Sequence, residues 1–175
     1  MASHLTIPVG PDDHRQGPET AAVILVEYGD YECPYCGQAF PLVKDLIRQM
    51  GDRMAFIFRN FPITTSHPHA ELAAEAAEAA AAQGMFWDMH DLLYEHQQSL
   101  GPDQILTLAA QLDLDMERFE EDLTQRRFRD RVQADFMGGV RSGVNGTPSF
   151  FIDGVRFDGN WTGDGLTRAI TRLLG

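Results

Sequence analysis

Apolar and polar positions follow two different periods along this chain. Val23, Ile24, Leu25 and Val26 form an unbroken apolar run, which predicts a buried strand, and Phe56, Ile57, Phe58 and Phe61 mark a second strand within Met54 to Phe61. Between them Phe40, Val43, Ile47 and Met50, with Leu46 among them, recur at helical spacing as the core-facing stripe of a helix from Pro34 to about Met50. Gly51-Asp52 punctuates the join, and a strand, helix and strand in this order predict a parallel pair linked by a right-handed crossover. From His67 to about Gly138 the period is helical throughout. Pro68 opens an alanine-rich helix to about Gln83, Met85 to Gln97 forms another, Pro102-Asp103 starts a third, and Asp115 and Thr124 are read as caps of two more. The alanines of 70–82 predict a closely packed helix face, with Glu71, Glu75 and Glu78 keeping the other side in solvent. The strand period returns at Pro148 to Asp153, turns at Asp153-Gly154 and runs back over Val155 to Phe157 as an antiparallel hairpin, before a last helix from about Gly163 to Leu174. The order predicts an α/β fold, a central mixed sheet flanked by helices. Residues 1–64 and 125–175 form the sheet domain and 65–124 an inserted all-helical domain.

Composition narrows the partners. At 175 residues, with 43% hydrophobic and 23% charged positions, the chain can bury a core unaided. A net charge of −12 without any compensating basic cluster argues against nucleic acid and anionic membrane as partners. No apolar stretch approaches the length of a bilayer span. Met1 to Thr20, with two Asp and Pro8, Pro11 and Pro18, lacks the apolar centre of a signal peptide. The expected location is therefore cytoplasmic, or periplasmic where a leader has been removed.

The candidate chemistry lies in the two cysteines, spaced Cys33-Pro34-Tyr35-Cys36 directly after the first strand. Pro34 suits the first helical position, so Cys33 stands at a helix N-terminus, where unpaired N–H groups and the helix dipole favour a negative charge. That effect is worth up to about one pKa unit at the Cys33 thiol. Three positions on, Cys36 shares a helix face with it and can resolve a mixed disulfide formed at Cys33. Two blander readings compete. A permanent crosslink would usually close a longer loop and come with others. A zinc site would need His67 and His69 as further ligands, and their one-residue gap matches no common spacing, so no metal is expected. His90 shares a stripe with Phe86, Met89 and Leu93 and is read as a hydrogen-bonded core histidine.

Taken in order, the strand with Glu27, the Cys33-Pro34-Tyr35-Cys36 motif, the helical insertion and Gly146-Thr147-Pro148 before Ser149-Phe150-Phe151 resemble the DsbA-like branch of the thioredoxin superfamily across nearly the whole chain. The resemblance implies a thioredoxin-like fold and a thiol–disulfide oxidoreductase using a redox-active Cys33–Cys36 disulfide and no other cofactor. It assigns Cys33 as nucleophile, Cys36 as resolving thiol and Glu27 as a buried acid of raised pKa relaying protons to Cys36. Pro34, Tyr35, Thr147 and a cis Pro148 would face the substrate. Glu27 otherwise reads as a solvent-facing strand residue, and Arg59 is its one candidate charge partner. Oxidising members place a histidine between the cysteines, where this chain has Tyr35. Asp30 and Glu32 add carboxylates beside Cys33, which raise a thiol pKa. Both features lean towards a reductase or isomerase of protein disulfides, with glutathione or a thioredoxin-type reductant as candidate electron donors. Pro-Tyr between the cysteines leaves a glutathione-linked, glutaredoxin-type reductase as one alternative. A non-catalytic, redox-sensing binding or chaperone module is another.

Overall fold

The computed structural model describes residues 3–175; the first two residues of the N-terminal segment lie outside it. The sheet begins with a strand the apolar pattern does not announce. β1 (His14–Gln16) is short, polar and at the edge, with no alternation to betray it. β2 (Val23–Gly29) and β3 (Met54–Asn60) are the two apolar runs, parallel as expected, with α1 (Pro34–Met50) as the crossover. The helical stretch comprises α2 (Ala70–Ala81), α3 (Phe86–Glu95), α4 (Pro102–Ala109), α5 (Met116–Thr124) and α6 (Arg129–Arg141). β4 (Ser149–Ile152), β5 (Val155–Phe157) and α7 (Gly165–Leu174) complete the chain. The strand order is β1-β3-β2-β4-β5, with only the β2–β3 pair parallel, so the sheet is mixed. Asp153 and Gly154, both at positive φ, make the hairpin turn between β4 and β5.

Alternation along the strands sends side chains to two cores. Leu25, Phe56, Phe58, Phe150 and Ile152 face the larger core, which takes in α1, the helical insertion and Leu166 and Ile170 of α7. Val26, Tyr28, Ile57 and Phe151 face a smaller one, closed by Phe61, Val144 and Phe136 of α6. α6 touches both β3 and α2, so it lies at the seam between sheet and insertion.

Two expectations for the helices are corrected. Glu75 and Glu78 do not face solvent: both are buried, and Glu71 is half-buried. α2 is packed by α3, α4, α5 and α6, leaving no free side for them. Glu75 instead binds Arg126 at 2.7 Å, while Glu78 binds His14 Nε2 at 2.9 Å and accepts from Asn60 Nδ2 at 2.8 Å. Thr124 is not an N-cap. It is the last residue of α5, and its hydroxyl donates to the Glu120 carbonyl, whereas α6 begins after Phe128 without a side-chain cap. Asp115 does cap α5, accepting from Arg118 N–H at 3.1 Å.

Candidate active site

The site forms where β2 ends and α1 begins. Cys33 N–H donates to the Asp30 carbonyl at 3.1 Å, which closes the turn between them. Cys33 is then the residue immediately before α1, with Pro34 at the first helical position, where a missing N–H has no intrahelical partner to lose. Cys33 is 4% exposed and Cys36 fully buried, both as free thiols, while Pro34 and Tyr35 are exposed. Neighbouring hydrogen bonds separate the two sulfurs. The Cys33 pKa is brought down to about 5, first by the side-chain hydrogen bond from Cys36, then by Thr147 and the backbone N–H groups of Cys36 and Tyr35, against the opposing effect of burial. The Cys36 thiol is pushed well above its ordinary value by burial and by donating to Cys33. The depression at Cys33 is larger than helix-end electrostatics alone provide, because direct hydrogen bonds add to it.

Residues 147 and 148 arrive from the far end of the chain. The Thr147–Pro148 peptide is cis, and the Thr147 carbonyl lies 3.4 Å from Cys33 Sγ, where the thiol form donates to it. The Thr147 hydroxyl, buried and otherwise without a partner, favours the thiolate. Glu27 sits beneath, on the same sheet face as Leu25, opposite Phe58 on one neighbouring strand and Phe150 on the other. It is 3% exposed, its Oε1 has no hydrogen-bond partner, and burial followed by the charge of Cys33 pushes its pKa up to about 8. It is therefore a largely protonated acid at neutral pH, able to give or take a proton.

Other placements differ from the sequence reading. Arg59 points to the opposite sheet face from Glu27, where it binds both oxygens of Asp13, at 2.8 and 2.9 Å, and the Tyr28 hydroxyl at 3.0 Å. The carboxylates of Asp30 and Glu32 are turned away from Cys33 and occupied. Asp30 accepts from Glu32 N–H and Ile63 N–H, both at 2.8 Å, and from His67 Nδ1 at 2.7 Å, and Glu32 accepts from His69 N–H. The largest influences on the Cys33 pKa are Cys36, burial, Thr147 and backbone N–H groups rather than either carboxylate. His90 is a core histidine: buried, ringed by Phe58, Phe86 and Trp87, and bonded through Nδ1 to the Tyr31 hydroxyl at 3.0 Å. Burial brings its pKa down to about 3 and keeps it neutral. Among the described residues no group of acids, histidines and cysteines has the arrangement of a metal site. The sequence reading missed Tyr94, whose buried hydroxyl lies over Gly29, two residues along the same face from Glu27, with no partner. Its signal was available, since Phe86, His90 and Tyr94 continue one stripe at four-residue steps.

This geometry has close counterparts. Residues 10–172 match a family model described as thioredoxin. The chain belongs to the thioredoxin family. Among solved members of this fold, oxidised BdbD from Bacillus subtilis superimposes with a TM-score of 0.84 at 24% identity, covering 99% of this chain and 98% of that one. A thioredoxin-like oxidoreductase from Silicibacter pomeroyi gives 0.80 at 27% identity, over 93% and 92% of the two chains. Wolbachia pipientis α-DsbA1 gives 0.79 at 21% identity, over 97% and 94%. The likeness in fold extends through the helices between β3 and β4. Among curated sequences, a Na(+)/H(+) antiporter, NhaA 1, of Salinispora arenicola is 49% identical over 168 residues, which is 95% of this chain and 26% of that protein. The antiporter NhaA of Herminiimonas arsenicoxydans is 41% identical over an equal length. The chain thus spans about a quarter of the length of these curated relatives.

Proposed function

We propose that this chain is a thiol–disulfide oxidoreductase acting on protein thiols, working chiefly as a disulfide donor. The observation that carries the reading is the placing of Cys33 Sγ at the start of α1, 3.4 Å from the Thr147 carbonyl beside Pro148, with Cys36 buried behind it; the hydrogen bonds there bring the Cys33 pKa down to about 5 and leave Cys36 the more basic. In the oxidised protein a substrate thiolate attacks Cys33 Sγ, the Cys33–Cys36 bond breaks, and Cys36 leaves as a thiolate that takes a proton from Glu27. A second substrate thiolate then attacks the substrate sulfur of the mixed disulfide and expels Cys33. The substrate dithiol becomes a disulfide and the protein disulfide becomes a dithiol. Cys33 is a good leaving group in the second step because its thiolate is stable.

The direction differs from the lean of the sequence. That lean rested on Tyr35 in place of a histidine and on Asp30 and Glu32 opposing the thiolate; Tyr35 still supplies no positive charge, but both carboxylates are occupied elsewhere. A stabilised reduced form makes a stronger oxidant. Measurement of the couple in glutathione buffers tests this: a value near or above about −180 mV supports a donor. A value near about −270 mV restores the reductase or isomerase, fed by glutathione or a thioredoxin-type reductant, in the cytoplasmic setting first expected. The chemistry itself is tested by trapping. Cys36→Ser should accumulate mixed disulfides through Cys33, and their absence would remove the reading. The antiporter relatives support a setting beside a membrane transporter, to be checked by whether the chain in its native host fractionates with membranes.

A further inference from the structure

One polar side chain of the helical insertion reaches the active-site turn. Gln97 lies just past the His96 C-cap of α3, its N–H donating to the Tyr94 carbonyl at 3.3 Å, and its side-chain Nε2 donates to two carbonyls of the turn, Tyr31 at 2.9 Å and Cys33 at 2.7 Å. The Cys33 carbonyl also accepts the first helical bond of α1, from Gly37 N–H at 3.0 Å, so Gln97 and the helix hold that oxygen jointly. The carboxamide lies close against Gly37. A Cβ there would overlap its oxygen and stand 2.9 Å from its carbon, so glycine at this position is what lets Gln97 approach.

We propose that Gln97 is a positioning residue for Cys33: by holding the Tyr31 and Cys33 carbonyls it aims the N–H groups at the start of α1 towards the Cys33 sulfur. The physical reason has two parts. Rotation of the Cys33 peptide unit would swing the first-turn N–H groups off the sulfur, and a double anchor on the carbonyls opposes that rotation. Two N–H donors on those carbonyls also offset their negative ends, which would otherwise oppose a nearby thiolate. The inference rests on the exchange reading above for its catalytic meaning, but its direct readout does not.

The test is the Cys33 pKa of the reduced protein, followed by thiolate ultraviolet absorbance and by the pH dependence of alkylation, in wild type and three variants. Gln97→Ala removes the anchor and should raise the pKa by about half a unit to one unit. Gln97→Glu keeps the size but turns a carboxylate towards two carbonyls, and should raise it further. Gly37→Ala leaves Gln97 intact but displaces its carboxamide, and should raise it in the same direction. In a Gln97→Ala background the Gly37→Ala change should add almost nothing, since the group it displaces is gone. Circular dichroism and melting of each variant separate loss of fold from loss of alignment. A merely structural glutamine would lower melting temperatures and leave the Cys33 pKa in place. That result, or additive effects of Gln97→Ala and Gly37→Ala, would overturn the proposal. Wild type that exchanges no disulfides would instead remove the exchange reading, whatever the variants do to the pKa.

Discussion

At the scale of single residues, Glu27 is the most informative case, because the burial that suits it to the proposed proton relay is a cost to stability. Its pKa of about 8 in the folded chain stands above the ordinary 4.5. The unfolded chain therefore releases the proton first, and folding stability falls as pH rises from about 4.5 through about 8. At neutral pH the cost is on the order of 3 kcal/mol. Glu27→Gln should raise the unfolding free energy at pH 7 by about 2 to 3 kcal/mol in denaturant titrations. It should also slow disulfide exchange by about tenfold or more through loss of the proton relay. Equal stability of the two proteins at pH 7 would show that Glu27 is ionised at no cost. That Cys33, Cys36 and Pro148 come together was legible from motif and order. The influence of Asp30 and Glu32 was not, because the donors that occupy them, Ile63 N–H, His67 and His69 N–H, come from the distant connection between β3 and α2.

At the scale of elements, α1 carries an interruption that its position near the site makes worth testing. Pro41 lies inside the helix and is exposed, so α1 lacks the bond from residue 41 to the Gly37 carbonyl. Pro41→Ala restores that donor and should stabilise the protein by about 1 to 3 kcal/mol, measured by chemical denaturation. Unchanged or lower stability would mean that the proline itself is required for packing α1 on the sheet. Element type was readable wherever period and punctuation agreed, as in β2, α1, β3 and the β4–β5 hairpin. It failed at β1, which has too few residues for a period. It failed differently in α2, where spacing located the helix but not the faces its neighbours would cover. A glutamate at helical spacing opposite alanines reads as solvated until a second layer of helices is placed over it, and Glu75 and Glu78 then need Arg126, His14 and Asn60.

For the whole molecule, the two pKa shifts of the site oppose each other, and redox state selects between them. In the reduced protein Cys33 loses its proton at about 5 when folded, against an ordinary 9.0. Its contribution to stability is thus complete above about pH 9 and is lost as pH falls through about 5. The oxidised protein has no thiolate, and there burial of Glu27 acts alone, so stability falls as pH rises above about 4.5, without the further rise in its pKa that the Cys33 charge adds in the reduced form. Melting both forms across this range should show the reduced protein gaining on the oxidised one as pH rises. Parallel curves would show that Cys33 is an ordinary thiol and would undercut the donor reading. Taken alone, the sequence determined the fold class, the dithiol and the order of its supporting segments, since these follow from local period, turn chemistry and motif spacing. Only the tertiary structure decided the sign of the electrostatics. Whether a carboxylate is buried and protonated, as at Glu27, or satisfied and turned away, as at Asp30, depends on donors and apolar walls that folding brings from remote parts of the chain.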